Sequence, residues 1–167
     1  MDLLIGESYA GGHGNEAHIN VLAGPRAGPI GAAFATTLAN PKPGHVPFLA
    51  VLQPNIPVVP ATVLINKSSI SEAAQGTIFW GAVQAGVAAG VRDALDAGAL
   101  RGQDLGAWAL IVAAWNNPAA TDEDAVFENN RIAMREALLR ADGKLGYAGD
   151  YRDRTVEPRN PFFRTPH

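Results

Sequence analysis

Apolar and polar residues alternate with a period of two over residues 16–23. Ala17, Ile19, Val21 and Ala23 share one face and Glu16, His18 and Asn20 the other, the pattern of a half-buried strand. A loose Gly11-Gly12-His13-Gly14 precedes it and the turn signal Gly24-Pro25-Arg26 ends it. Residues 30–40 form a short alanine-rich helix candidate with Phe34 and Leu38 four apart, stopped by Pro41 and Pro43. The compact apolar run 46–53 predicts one buried strand, broken by Pro54-Asn55-Ile56-Pro57, and the branched residues of 62–68 predict another. The period then changes. Phe79, Val83, Val87, Val91 and Leu95 recur every four residues, which predicts a long helix with a buried stripe, opened by the capping-box pattern Ser69-x-x-Glu72 and closed at Gly98. Gly86 and Gly90 weaken a helix interior by roughly 1 kcal/mol each relative to alanine, so they predict a close neighbour there. Residues 108–115 read as a last buried strand. Residues 121–140 read as a last helix, with Asp122, Glu123 and Asp124 near its positive end.

The order strand, helix, strands, long helix, strand, helix predicts an α/β chain, an α+β sandwich with helices packed on a sheet, and leaves antiparallel and parallel pairing open. Residues 1–142 are expected to form one domain. Residues 143–167 form an extension rich in Gly, Pro and charge, whose Tyr147, Tyr151, Phe162 and Phe163 suggest docking on the domain or on a neighbouring subunit.

Composition removes several function classes. The net charge of −3, from 13 basic and 16 acidic residues, gives no basic field for a nucleic acid backbone. There is no cysteine, which excludes disulfides, thiolate nucleophiles and cysteine-ligated metals. The longest apolar stretch, 107–115, is too short to span a bilayer, and residues 1–6 lack the features of a secretory signal, so the expected location is the cytoplasm.

Among polar side chains, His18 is the candidate for proton transfer, because an imidazole titrates near neutral pH and can protonate a leaving hydroxyl. On pattern alone a half-exposed surface histidine is the favoured reading. His13 and His18 lack an obvious third ligand, so no metal site is expected. Lys67 ends an apolar strand with Ser69 two residues on. The two could anchor a polar ligand, or they could be a snorkelling lysine and a helix cap. Gln84, one turn after Trp80, either reads the edge of a flat heterocycle or points to solvent. The glycine loop lacks the features of a phosphate-binding loop or a dinucleotide site, and no hydrolase elbow or kinase motif is present.

Several blocks in fixed register resemble the formaldehyde-activating enzyme family: Gly6-Glu7, Ala17-His18-Ile19, Gly24-Pro25-Arg26, Leu49-Ala50-Val51 with Pro54-Asn55 and Pro57, Asn66-Lys67, and Trp80-Gly81 with Gln84-Ala85. Asn160-Pro161-Phe162 resembles the family's near-terminal Pro-Phe. The resemblance implies a fold similar to the second domain of ribosomal protein S5, with helices packed on a mixed sheet, and a homopentamer with its pterin site between neighbouring subunits. It also implies condensation of formaldehyde with tetrahydromethanopterin, or a related tetrahydropterin, to the methylene derivative and water. The pterin acts there as co-substrate, with no prosthetic group. The family's proton donor falls on His18, and its pterin contacts fall on Asn20, Leu49, Lys67, Ser69 and Gln84. The family typically carries aspartate where this chain has Asn20, and threonine where it has Ser69. Asparagine keeps an acceptor oxygen but lacks the charge that would favour a nearby imidazolium. A carrier or sensor of the same fold, binding a pterin or a formaldehyde adduct without catalysis, is the alternative.

Overall fold

The computed structural model describes residues 3–143. The aromatic residues 147, 151, 162 and 163 and the Asn160-Pro161-Phe162 block lie outside the described residues. Strands β1 (Leu4–Ala10) and β2 (Ala17–Pro25) form an antiparallel hairpin, followed by helix α1 (Pro29–Ala39). The short strands β3 (Phe48–Leu49), β4 (Val51–Gln53) and β5 (Ile56–Pro57) lead into β6 (Ala61–Asn66). One continuous helical segment comes next, built of α2 (Ala73–Ile78), a π-helical turn (Phe79–Val83) and α3 (Gln84–Asp96). Strand β7 (Trp108–Asn116) and helix α4 (Glu123–Ala141) complete the described chain. The sheet order is β1-β2-β7-β6-β3, with β6 and β7 parallel and the other neighbours antiparallel, so the sheet is mixed as expected.

One sheet face is apolar along its length. Ile19, Val21, Leu64, Leu110, Val112 and Ala114 are fully buried there, in one core with Val83, Val87 and Val91 of the long helical segment and Met134 and Leu138 of α4. The helix pair packs closely, as the two glycines predict. A Cβ on Gly86 would lie 2.4 Å from the carbonyl oxygen of Phe127, and one on Gly90 would lie 2.5 Å from that of Arg131. Among the described residues, the opposite face is covered only in part. Ile30, Phe34 and Leu38 of α1 pack on Leu22, Val63, Ile65, Ala109 and Ile111, leaving the other end of that face to polar side chains.

Three elements differ from the sequence pattern. β1 is a strand without an alternating apolar signal, because its inward positions are Gly6, Ser8 and Ala10 and its outward ones include Ile5 and Tyr9. Small residues are required inside, since a Cβ on Gly6 would overlap the carbonyl of Ala137 in α4. The run 46–53 is not one strand. The Ala50 N–H donates to Thr62 and its carbonyl accepts from Val58, so the chain leaves the main sheet there and folds back as the β4–β5 hairpin. The long helix starts at Ala73 rather than beside Ser69. The Asn66 amide donates to the carbonyls of Gly44 and Ser68, and the Ile70 N–H donates to Gly44, which ties this stretch to the preceding loop. Gln75, not Glu72, then reaches back to accept from the backbone N–H groups of Ser71 and Glu72.

Candidate active site

The uncovered end of the sheet collects the polar side chains. Glu7 lies opposite Asn20 and Tyr9 opposite His18 across β1 and β2. His18 lies opposite Trp115 across β2 and β7. Directly opposed residues project to the same face. Lys67 extends from the end of β6, anchored by its own N–H to the Ala114 carbonyl, and its side chain reaches back across this face. Its ammonium donates to Asn20 Oδ1 at 2.7 Å and contacts His18 Nδ1 at 3.1 Å. On the other side of the ring, His18 Nε2 lies 2.8 Å from Glu7 Oε1.

Donor chemistry limits where the protons can sit. An ammonium has only donors, so beside a charged Lys67 the His18 Nδ1 is an acceptor, and Nε2 carries the hydrogen given to Glu7. If the proton between them moves across, Nδ1–H donates to a neutral lysine nitrogen with no change of geometry. Burial and the Lys67 charge hold His18 below its ordinary pKa, while Glu7 pulls the other way by charge and hydrogen bond. Burial brings Lys67 down to about 8, again with Glu7 opposing. At neutral pH the shared proton therefore resides on Lys67, one hydrogen bond from His18.

Asn20, which the sequence places beside His18 without the charge to favour an imidazolium, accepts from Lys67, and the carboxylate at the imidazole is Glu7. Glu7 stood in the Gly6-Glu7 block without a role, because β1 carries no strand pattern to show that it faces His18.

The remaining expected site residues lie elsewhere on the chain. Leu49, 45% exposed, lines an apolar groove with Val46, Phe48, Val51, Trp80 and Gln84. Gln84 is buried and its Oε1 accepts the Val51 N–H at 2.6 Å, so it does not point to solvent. The π turn that precedes Gln84 leaves Trp80 57% exposed above this groove. Ser69 lines a third region, a cavity of about 210 Å³ with Asn66, Gln75, Asn116 and Asn117. Neither the groove nor the cavity shares a lining residue with the His18–Lys67 cluster. The structure thus joins His18, Asn20 and Lys67 and adds Glu7, but within one chain it does not bring Leu49, Gln84 or Ser69 to them. Among the described residues no group of three or more His, Asp or Glu side chains is arranged to hold a metal ion. No helix among them is long and apolar enough to cross a membrane.

The sequence profile of the formaldehyde-activating enzyme (Fae) family matches residues 5–145. A protein of Methanosarcina barkeri named 5,6,7,8-tetrahydromethanopterin hydro-lyase is 38% identical over 138 residues, covering 83% of this chain and 78% of that protein. Proteins named bifunctional enzyme Fae/Hps from Methanoregula boonei and Archaeoglobus fulgidus are 38% and 32% identical. The match covers 83% and 84% of this chain but only 35% and 36% of those proteins, so the chain spans about a third of the bifunctional relatives. With a profile match across most of its length and a relative of similar size at this identity, the chain belongs to the formaldehyde-activating enzyme family.

Proposed function

We propose that this chain is a lyase that condenses formaldehyde with tetrahydromethanopterin to give the methylene derivative and water, with His18 as the proton donor. The observation that carries the proposal is the Glu7–His18–Lys67 line on an open sheet face, in a chain whose relative is named for tetrahydromethanopterin. Addition of an amine to formaldehyde gives a carbinolamine, whose hydroxyl leaves only when it takes up a proton. A positioned general acid accelerates such a step by roughly 10²- to 10⁴-fold. His18 can supply that proton and recover it from Lys67 through Nδ1. No electron is transferred, so the reaction needs no redox partner. A carrier would have no use for a proton relay, which favours the enzyme over a binding protein.

The expected pterin contacts Asn20, Leu49, Lys67, Ser69 and Gln84 complete one site only if neighbouring chains contribute. The exposed apolar side chains Val46, Leu49, Leu52, Ile56, Val59 and Trp80 support such an assembly. We therefore include in the proposal a homopentamer in the cytoplasm, with Leu49, Trp80 and Gln84 of one subunit facing the His18 cluster of the next. Product formation with tetrahydromethanopterin and with tetrahydrofolate tests the substrate. Acceleration over the spontaneous reaction with the first, and a much weaker effect with the second, is expected. Equal acceleration with both would remove the pterin assignment.

A further inference from the structure

We propose that Lys67 is a covalent carrier: its amine captures formaldehyde as an iminium before the carbon passes to the pterin. The inference rests on the functional reading above for the identity of the aldehyde, and on geometry for the rest. A lysine forms an iminium with a carbonyl compound when its amine is free, and an amine is freed by a base within hydrogen-bond reach that is oriented by a third group. That arrangement is present here. Lys67 Nζ is 3.1 Å from His18 Nδ1, and His18 Nε2 is 2.8 Å from Glu7 Oε1. The order carboxylate, imidazole, nucleophile matches the logic of hydrolase triads, with an amine in place of a hydroxyl. Asn20 Oδ1, at 2.7 Å, fixes the nitrogen from a further direction without adding the negative charge that would hold its proton in place. The pKa of about 8, caused first by burial, agrees with this assignment. The chain has three lysines, Lys42, Lys67 and Lys144; Lys42 lines a separate surface pocket with Thr36 and His45, and Lys144 lies outside the described residues.

The sequence of bonds closes without an outside reagent. Lys67 gives one proton to His18 Nδ1, and the imidazolium is held by Glu7. The lysine nitrogen adds to the formaldehyde carbon, and a proton moves from that nitrogen to the carbonyl oxygen, giving a carbinolamine. His18 returns its proton to the hydroxyl, the C–O bond breaks, water leaves, and the carbon remains as the Lys67 iminium. A pterin amine adds to that carbon. The proton released by that pterin nitrogen passes to the lysine nitrogen, the bond to Lys67 breaks, and the electron pair stays on the lysine as a free amine. Attack by the second pterin nitrogen closes the ring, and the proton that this nitrogen releases returns to the Lys67–His18 pair. The sum is formaldehyde plus pterin giving the methylene product and water. His18 protonates the hydroxyl that derives from formaldehyde, here on the Lys67 carbinolamine rather than on a pterin carbinolamine, and Glu7 is a positioning residue that acts through it.

The test is hydride trapping on the full chain with formaldehyde and sodium cyanoborohydride at neutral pH, followed by peptide mass spectrometry of the three lysines. A lysine near pKa 8 holds on the order of 10²-fold more free amine at neutral pH than an ordinary one, so methylation at Lys67 should outrun Lys42 and Lys144 by about tenfold or more. Glu7→Gln removes both the partner of the His18 ring and the charge that opposes the lowering of Lys67, so it should lower kcat while keeping or increasing that labelling preference, and Glu7→Asp should restore part of kcat, a split that a purely structural role of Glu7 would not produce. In steady-state assays Lys67→Arg, which keeps the charge but forms no iminium, should lose the acceleration while still binding tetrahydromethanopterin. Equal labelling of the three lysines in the unmodified protein would overturn the proposal, as would near-normal turnover by Lys67→Arg. Either result leaves the functional reading standing if the unmodified protein still accelerates the condensation. Preferential labelling of Lys67 in a protein that does not accelerate it would support capture of formaldehyde while rejecting that reading.

Discussion

At the scale of single residues, one proton shared by His18 and Lys67 governs the chemistry. His18 lies below its ordinary pKa and Lys67 near 8, so between these values the pair carries one proton in total. Above about 8 that proton is lost and no acid remains for the leaving hydroxyl. Turnover is therefore expected to fall on an alkaline limb near 8, and to fall on the acid side only below the ordinary histidine range, where both groups are charged. A pH profile of kcat checks this, and a rate that keeps rising above pH 9 would contradict it. Asn20→Asp places a carboxylate at 2.7 Å from the Lys67 nitrogen, so it should move the alkaline limb upward by about one unit or more. An unmoved limb, with pterin binding intact, would show that position 20 does not act on Lys67. His18, Asn20 and Lys67 were legible in the sequence because alternation set the first two on the polar face and the third at a strand end. Their partnership was not legible, since it depends on β6 lying beside β7 and on Lys67 reaching across it to β2.

At the scale of elements, close packing of α3 on α4 and of α4 on β1 sets the layer that carries the site. Gly90 shows the conflict between local and tertiary preference. Alanine is the better helix former by roughly 1 kcal/mol, yet its Cβ would meet the Arg131 carbonyl oxygen at 2.5 Å and Met134 Cβ at 2.7 Å. Backbone cannot swing aside as a flexible side chain does, so Gly90→Ala is expected to lower stability by about 1–3 kcal/mol, the usual range for overpacking. Urea unfolding measures this, and a stabilised variant would mean that the helices are further apart than described. The same closeness explains what pattern reading could and could not see. The long helix and its glycines were visible, because an apolar stripe and a misplaced glycine are both local signals. β1 was invisible, because a strand lying under α4 needs Gly6, Ser8 and Ala10 inside, and small residues produce no hydrophobic alternation. The break of 46–53 at Ala50 depends on hydrogen bonds to Thr62 and Val58, which no local pattern contains.

At the scale of the whole molecule, the described chain presents two separate surfaces: a polar hydrogen-bonded cluster on the sheet, and an apolar groove between Leu49 and Trp80. A tryptophan 57% exposed beside five other exposed apolar side chains is expected to lie under a neighbour. Light scattering should give a pentamer, and Trp80→Glu should shift it to smaller species and weaken pterin binding. A stable monomer with full turnover would contradict the shared site. The layering of helices on a sheet was readable from the element order alone, whereas the parallel pairing of β6 with β7 was not, since it depends on which distant strands meet. The central claim is that this chain accelerates the union of formaldehyde and tetrahydromethanopterin through His18. Stopped-flow measurement of that reaction, with the spontaneous rate subtracted, tests it most directly. The expected result is a clear acceleration by the unmodified protein that drops by roughly 10²- to 10⁴-fold in kcat for His18→Ala, with little change in pterin affinity. A rate equal to the spontaneous one, or an undiminished rate in His18→Ala, would contradict it.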